Sequence, residues 1–403
     1  MQIIKKIIKY SLSKFDLKLS KANQNLQQLF FQLQDEEITN NYFSKDYFIS
    51  DNNEKLFINK NYRYTVKPCW KAFPILINFY HLQNCGVLSK NEKKQFDKFI
   101  GKNTLTSPLE QIHKYIEPIL KRNQEFFDGT EYPKSRYWVP KLPDVYFKNQ
   151  IKKMKKIIFR DLQIIRGLSH KKIVKVLDVG CGRGVSTAAF SELGMKVTGI
   201  DSNYGNKFES SIDEMQRMRI RKINSSSYNI IFDDIRKCNS LKKNTFDFIY
   251  SISCLEHIQK LDKAISEMYR LLNPGGLMMH HLNPIWSENG GHALGTLDSP
   301  WLHVVLNEKE FERYLKEIHP FESDIAIPWS KKSLNRGITI NSLQRLLIKN
   351  GFTLLHWSET IGNTKNIKFL NRDTLLKIQK NYNDVSLADL FATNITFVAR
   401  KSL

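Results

Sequence analysis

Val176-Leu-Asp-Val-Gly-Cys-Gly-Arg-Gly184, followed by Val197-Thr-Gly-Ile-Asp-Ser-Asn203, is the stretch whose reading decides the fold. An apolar run with one acid near its tip stops at three glycines spaced two apart. A second apolar run then ends on Asp201, twenty-one residues after Gly180. The first run predicts a buried parallel strand. Gly180, Gly182 and Gly184 let the backbone turn tightly and pass close to a ligand with no Cβ in the way. An acid about 20 residues on, at the tip of the second strand, is where a βαβ nucleotide site grips ribose hydroxyls. The spacing is Gly-x-Gly-x-Gly rather than Gly-x-Gly-x-x-Gly, and Asp178 precedes the turn. A carboxylate there repels a pyrophosphate and suits a ligand with a cationic end.

These residues resemble the signature of class I S-adenosylmethionine-dependent methyltransferases, and the agreement continues at intervals. Tyr228-Asn-Ile-Ile-Phe-Asp-Asp-Ile-Arg236 reads as a third strand ending in acids, and Thr245–Ile258 as a fourth strand and the turn beneath the cofactor. A helix over 260–272 presents Leu261, Ile265, Met268 and Leu272 on one face. Asn273-Pro-Gly-Gly276 stops it, and Leu277–Leu282 is a fifth strand. Asn341–Phe352 predicts an amphipathic helix closed by Gly351, Thr353–Trp357 a sixth strand and Asn394–Arg400 a seventh. The resemblance covers 165–283 and 338–403.

It implies an α/β fold: a Rossmann-like, seven-stranded, mostly parallel sheet, with a helical N-terminal accessory region and an insert after the fifth strand. The domain division is 1–150 for the accessory region and 151–403 for the catalytic domain, the insert or lid occupying 284–337. The implied cofactor is S-adenosyl-L-methionine. Its site would comprise Asp178, Gly180, Cys181, Gly182, Gly184, Asp201, Ser202, Asp233, Asp234, Ile235 and Ser251. Cys181 reads as a small residue that fits the turn, not as a nucleophile.

The insert should choose the acceptor. Four of the chain's ten histidines fall between His280 and His303, with Trp286 and Trp301 among them. His292, after the Gly290-Gly291 turn, and His303 are the candidate bases for an acceptor proton, since an unperturbed imidazole titrates at about 6.5. His281, Trp286 and Trp301 are candidates for holding a sugar or aromatic ring. The expected acceptor is a hydroxyl of a glycan, lipid-linked or other small-molecule intermediate. His257, in the turn after the fourth strand, is an alternative base. Ubiquinone-pathway O-methyltransferases carry Glu-x-x-Glu-His at that turn, able to hold a divalent cation. Here Ser253 replaces the first acid, so Glu256-His257 predicts no metal site.

The net charge of +22 invites a nucleic-acid reading, but the charge is unevenly spread. Residues 171–330 hold twenty Lys/Arg and twenty Asp/Glu; the excess lies in 1–150, in 331–403 and in a basic helix over 151–166. A base-methylating enzyme would also carry Asn/Asp-Pro-Pro-Tyr after the fourth strand, where this chain has Ser251-Ile-Ser-Cys254. An RNA methyltransferase and a non-catalytic scaffold are the alternatives, and the intact glycine loop speaks against the second. Five scattered cysteines without a Cys-x-x-Cys pair fit a reducing compartment, so a cytoplasmic location is expected. Met1–Ser20 places Ile3, Ile4, Ile7 and Ile8 opposite Lys5, Lys6 and Lys9 at helical spacing. Such a helix either packs on the protein's own body or lies on an anionic membrane.

Overall fold

A computed structural model describes residues 47–57, 89–92, 94, 127–128, 139–140, 144–168, 173–202, 217–288, 290, 297, 299–318, 323–362 and 364–403. The helix expected over 1–20, His292 and most of 1–143 lie outside these residues. The described part of the accessory region includes a hairpin, β1 (Tyr47–Ile49) and β2 (Lys55–Phe57), turning over the polar 51–54, and a two-residue ladder of β3 (Phe127–Asp128) with β4 (Val139–Pro140).

From residue 144 the chain alternates helix and strand. In order come α1 (Asp144–Leu168), β5 (Lys175–Val179), α2 (Val185–Glu192), β6 (Lys196–Asp201), the helical run 217–223 (α3) and β7 (Asn229–Phe232). There follow β8 (Phe246–Ile252), α4 (Leu261–Leu271), β9 (Leu272–Leu282), α5 (Glu308–Ile318), α6 (Ile340–Lys349), β10 (Phe352–Ile361), α7 (Arg372–Asn381) and β11 (Ala392–Lys401). Seven strands form one sheet in the order β10-β11-β9-β8-β5-β6-β7, parallel from β9 to β7, with β11 antiparallel to both its neighbours. The order reverses direction between β5 and β8. At such a switch point the crossovers leave on opposite faces and open a crevice beyond the carboxyl ends of the strands.

Each face is covered because the strands are apolar on both sides. Leu177, Val179, Met278 and Phe397 pack under α4 and α6, whereas Val176, Phe248, Tyr250 and Met279 pack under α1, α2 and α3. α4 ends as expected, but Asn273-Pro-Gly-Gly276 does not separate it from the next strand. Leu272, the C-cap of α4, is already the first residue of β9 and pairs with Phe246 of β8. The four residues form a bulge, Gly275 taking φ +74°. α6 starts on a reciprocal capping box between Thr339 and Ser342.

The insert is where the structure departs most from expectation. Rather than a roof of exposed aromatics it forms a second hydrophobic core, shared with the β1–β2 hairpin and the segment between β10 and β11. Phe48, Trp286, Trp301, Phe311, Tyr314, Ile378 and Leu390 all belong to it. Phe48 meets Tyr314 edge-on at 5.5 Å, and Arg313 covers the same Phe48 ring at 4.4 Å. Large aromatic surfaces gain more from burial in this core than from waiting at a solvent-facing wall.

Candidate active site at the switch point

The glycine loop closes on the tip of β6. Gly180 and Cys181 both donate their backbone N–H to the Ile200 carbonyl, at 2.8 and 3.2 Å, and Gly184 N–H reaches back to Cys181 O at 2.8 Å. All three glycines take positive φ: +66°, +51° and +86°. A Cβ on Gly180 would stand 2.3 Å from Cys254 Sγ, and one on Gly184 2.8 Å from Ile230 Cδ1. One on Gly182 would meet nothing within 4 Å. Gly180 and Gly184 are therefore glycine for packing, while Gly182 faces the open crevice.

Asp201, besides lying at the predicted strand tip, accepts the Gly182 N–H on Oδ2 at 2.7 Å. It braces the loop. Arg217 is an addition that the sequence did not disclose. Buried at the start of α3, it donates Nε–H to Gly182 O at 2.6 Å and lies 4.5 Å over the Phe232 ring. Ser202 follows Asp201 half-buried. Cys181 and Cys254 are buried thiols whose pKa burial raises well above the ordinary value, so neither is a ready nucleophile.

Asp178 lies beneath the loop, 2% exposed, its Oδ2 accepting from Ser186 Oγ at 2.6 Å and Thr187 Oγ1 at 2.7 Å. Burial raises its pKa to about 6 against those two hydrogen bonds, with Asp201 adding repulsion. The neutral form is thus favoured by the fold. Its contribution to stability is complete below the unfolded value of about 3.8 and is lost as pH rises through about 6.

The acids after β7 are more committed than expected. Asp234 caps the turn Ile235–Lys237 and pairs with Arg236, whose Nε and Nη2 lie 2.7–3.0 Å from its oxygens. That Arg236 hydrogen bond, outweighing partial burial, holds the carboxyl below its usual range. Burial works to raise Asp233, but bonds from Ser240 Oγ at 2.5 Å and the Asp234 N–H at 2.8 Å outweigh it and lower its pKa. Ile235 is buried behind them. Ser251, a candidate for cofactor contact, is fully buried with its hydroxyl 2.6 Å from His280 Nδ1. Its side chain points into the core, and burial lowers His280 to about 3.

On the acceptor side the predicted residues separate. His303 is fully buried in the insert core and donates Nε2–H to Ile285 O at 2.6 Å; burial, then the Arg336 charge, push its pKa to about 3. It is a structural residue and not a base near neutrality. Trp286 and Trp301, each 1% exposed, donate their indole N–H to Ile338 O at 2.6 Å and Leu390 O at 2.9 Å. They present no face to an acceptor. His257 stays half-buried on the turn after β8, beside the buried Glu256.

His281 gains instead. At the carboxyl end of β9, half-buried, its Nε2 is 2.9 Å from Asp161 Oδ2 and its Nδ1 2.8 Å from Thr396 Oγ1. Asp161, from α1, also accepts from Tyr250 OH at 2.7 Å. Polar contacts continue from Thr396 to Asn394 (3.2 Å), from Asn394 to Asn283 (3.2 Å), and from Asn283 to Ser253 Oγ (3.0 Å) and, through its backbone N–H, to Glu256 Oε1 (3.1 Å). This polar row runs along the carboxyl edge beside the glycine loop. Sequence reasoning found one member, because the others lie up to 120 residues away.

Residues 177–280 match the family described as a methyltransferase domain. The chain carries a class I S-adenosylmethionine-dependent methyltransferase domain. It is 33% identical over 107 residues to a sterol 24-C-methyltransferase of Neurospora crassa, covering 26% of this chain and 27% of that protein. It is 28% identical over 133 residues to a ubiquinone biosynthesis O-methyltransferase of Pelagibacter ubique, covering 32% of this chain and 50% of the relative. Among solved structures, phosphoethanolamine N-methyltransferase 2 of Haemonchus contortus is 19% identical with a TM-score of 0.38, over 60% of this chain and 52% of that one. The chain spans half or less of the length of these curated relatives.

Proposed function

We propose that this chain moves a methyl group from S-adenosyl-L-methionine to a small-molecule acceptor, with a hydroxyl of a glycan or lipid-linked intermediate as the reading carried forward from the sequence. The observation that carries methyl transfer is the loop itself. Gly182 faces open space, Asp201 is drawn against it, and the buried carboxyl of Asp178 lies underneath, held by Ser186 and Thr187. Those residues fit the cofactor: Asp178 answers its ammonium end and Asp201 its ribose hydroxyls. Bound there, the cofactor supplies an electrophilic methyl on a sulfonium.

The chain's remaining task is to orient the acceptor and take its proton. His281 donates Nε2–H to Asp161, so its Nδ1 can take the acceptor's proton once the acceptor displaces the Thr396 hydroxyl from it; it is the first candidate base among the described residues, and His257 the second. Matched relatives include both a C- and an O-methyltransferase, and a base near the carboxyl ends of β8 and β9 serves either acceptor atom. Apart from positioning, a base contributes about 10²–10⁴-fold.

Calorimetric titration with S-adenosylhomocysteine tests the reading. A micromolar dissociation constant is expected, and no binding heat with folded protein would overturn it. Affinity should also rise with pH through about 6, because the ammonium is held by ionised Asp178, whose proton must leave first. Asp178→Asn should bind more weakly and lose that dependence; a pH-independent wild type would remove Asp178 from the site. Screening polyols, quinols and sterols for S-adenosylhomocysteine release identifies the acceptor. With that acceptor, His281→Ala and Asp161→Asn should lower kcat by about 10²-fold and about tenfold, while cofactor affinity stays within about twofold. Normal turnover in both would shift the proton to His257.

A further inference from the structure

Among the helices α1–α4 and α6, which cover the sheet, the positive charge is concentrated on one side of it. α1, α2 and α3 share a single core against it. Their solvent side carries ten exposed or half-exposed Lys/Arg and two Asp/Glu, whereas α4 and α6, on the opposite side, carry four and two. Both acids of the basic side are already engaged: Asp144 with Arg219 at 3.5 Å and Glu192 with Lys155 at 3.0 Å. Arg160 also lies 3.9 Å from Asp161, and seven cations remain beyond these three pairs.

The geometry of α1 gives that charge a shape. Its 25 residues span about 37 Å. Asp161, its only acid after the first residue, is turned inward to Tyr250 and His281. Lys148, Lys152 and Lys156 follow one another at i, i+4 along the exposed side, with Lys153 beside them. Phe159 continues the stripe with half its surface in solvent, at 52%; Ile157 on α1 is 37% exposed and Met218 on α3 57%. Apolar side chains standing among lysines on a flat helical layer suit an interface where ammonium groups meet phosphates and apolar tips enter the acyl boundary. A purely solvated face would gain nothing from exposing Phe159 and Met218 there.

We propose that the α1–α3 face docks on an anionic lipid surface. The sheet then lies roughly parallel to the bilayer, and the carboxyl edge that bears His281 opens along it. The surface belongs to the folded body and acts independently of the segment 1–20. Each lysine near an anionic surface adds to the attraction, which falls off within a Debye length.

Vesicle co-sedimentation of the full chain tests this. Wild type should sediment with phosphatidylcholine–phosphatidylserine vesicles at low salt, not with phosphatidylcholine alone, and should release as salt rises. Lys148→Glu/Lys152→Glu/Lys156→Glu should lower vesicle affinity at least tenfold while S-adenosylhomocysteine affinity and melting temperature stay at wild-type values. Phe159→Ser should weaken binding severalfold with its salt dependence unchanged. The proposal is overturned if wild type ignores anionic vesicles, if the triple variant binds them as wild type does, or if the protein retains an RNA homopolymer while ignoring vesicles. Since S-adenosylhomocysteine binding is measured on the same samples, loss of the methyltransferase reading would show separately.

Discussion

Gly180→Ala is expected to lower stability by about 2–5 kcal/mol, although it adds a single methyl group. The new Cβ would stand 2.3 Å from Cys254 Sγ and 2.8 Å from Cys254 Cβ, in a residue held at φ +66°. The left-handed conformation costs an L-residue about 1–2 kcal/mol, and overpacking a filled site costs about 1–3 kcal/mol more. The loop cannot move aside cheaply, because Gly180 and Cys181 are both tied to Ile200 O. Cys254→Gly in the same chain should restore the steric part and leave the backbone part, which a double-mutant cycle of thermal melts separates. A single variant that melts within a degree of wild type would contradict this packing.

Asp201→Ala should weaken S-adenosylhomocysteine binding by about 2–3 kcal/mol, because ribose hydroxyls lose a charged acceptor. The structure adds a second cost, since Oδ2 also holds the Gly182 N–H at 2.7 Å. The two contributions are separable. Asp201→Asn keeps an oxygen for the Gly182 N–H but not the charge, so it should lose only about tenfold, the share of a charge-assisted bond. Calorimetry on the three proteins decides the matter: alanine binding within threefold of wild type would remove Asp201 from the ribose site. Equal losses in alanine and asparagine would make charge, not bracing, its whole contribution.

The conformation of the glycine loop was legible because its signals are local. Gly180, Gly182 and Gly184 announce positive φ, and all three adopt it. Asp201 announces a strand tip by its interval, and it lies there. Even Asp178, the residue that argues against a pyrophosphate, finds its hydrogen-bond partners in its near neighbours Ser186 and Thr187, although the burial that raises its pKa comes from the fold around it.

The acceptor half was only partly legible, and the misplacement of three residues has one cause. A cluster of histidines and tryptophans between glycines is the composition of a ligand wall and equally that of a core whose N–H groups need partners. Trp286, Trp301 and His303 found carbonyl partners at Ile338, Leu390 and Ile285, and so belong to the second core. The composition of the segment does not distinguish the two outcomes, because the partners lie 18 to 89 residues away along the chain.

By itself, then, the chain's order of residues determined whatever depends on backbone conformation and nearest neighbours: the strand–loop–helix of 175–192, the acid at 201, the seven-strand succession and the basic character of 151–166. Tertiary structure decided whatever depends on which distant groups share a low-dielectric space. It turned Asp161 inward to His281 and Tyr250, closed Arg217 on Gly182, sent the insert's aromatics into a core with Phe48, and left the lysines of α1 facing outward together. Periodicity shows that a residue lies on a buried or exposed face; only packing shows what meets it there, and for a polar group that meeting determines whether it is structural or available for chemistry.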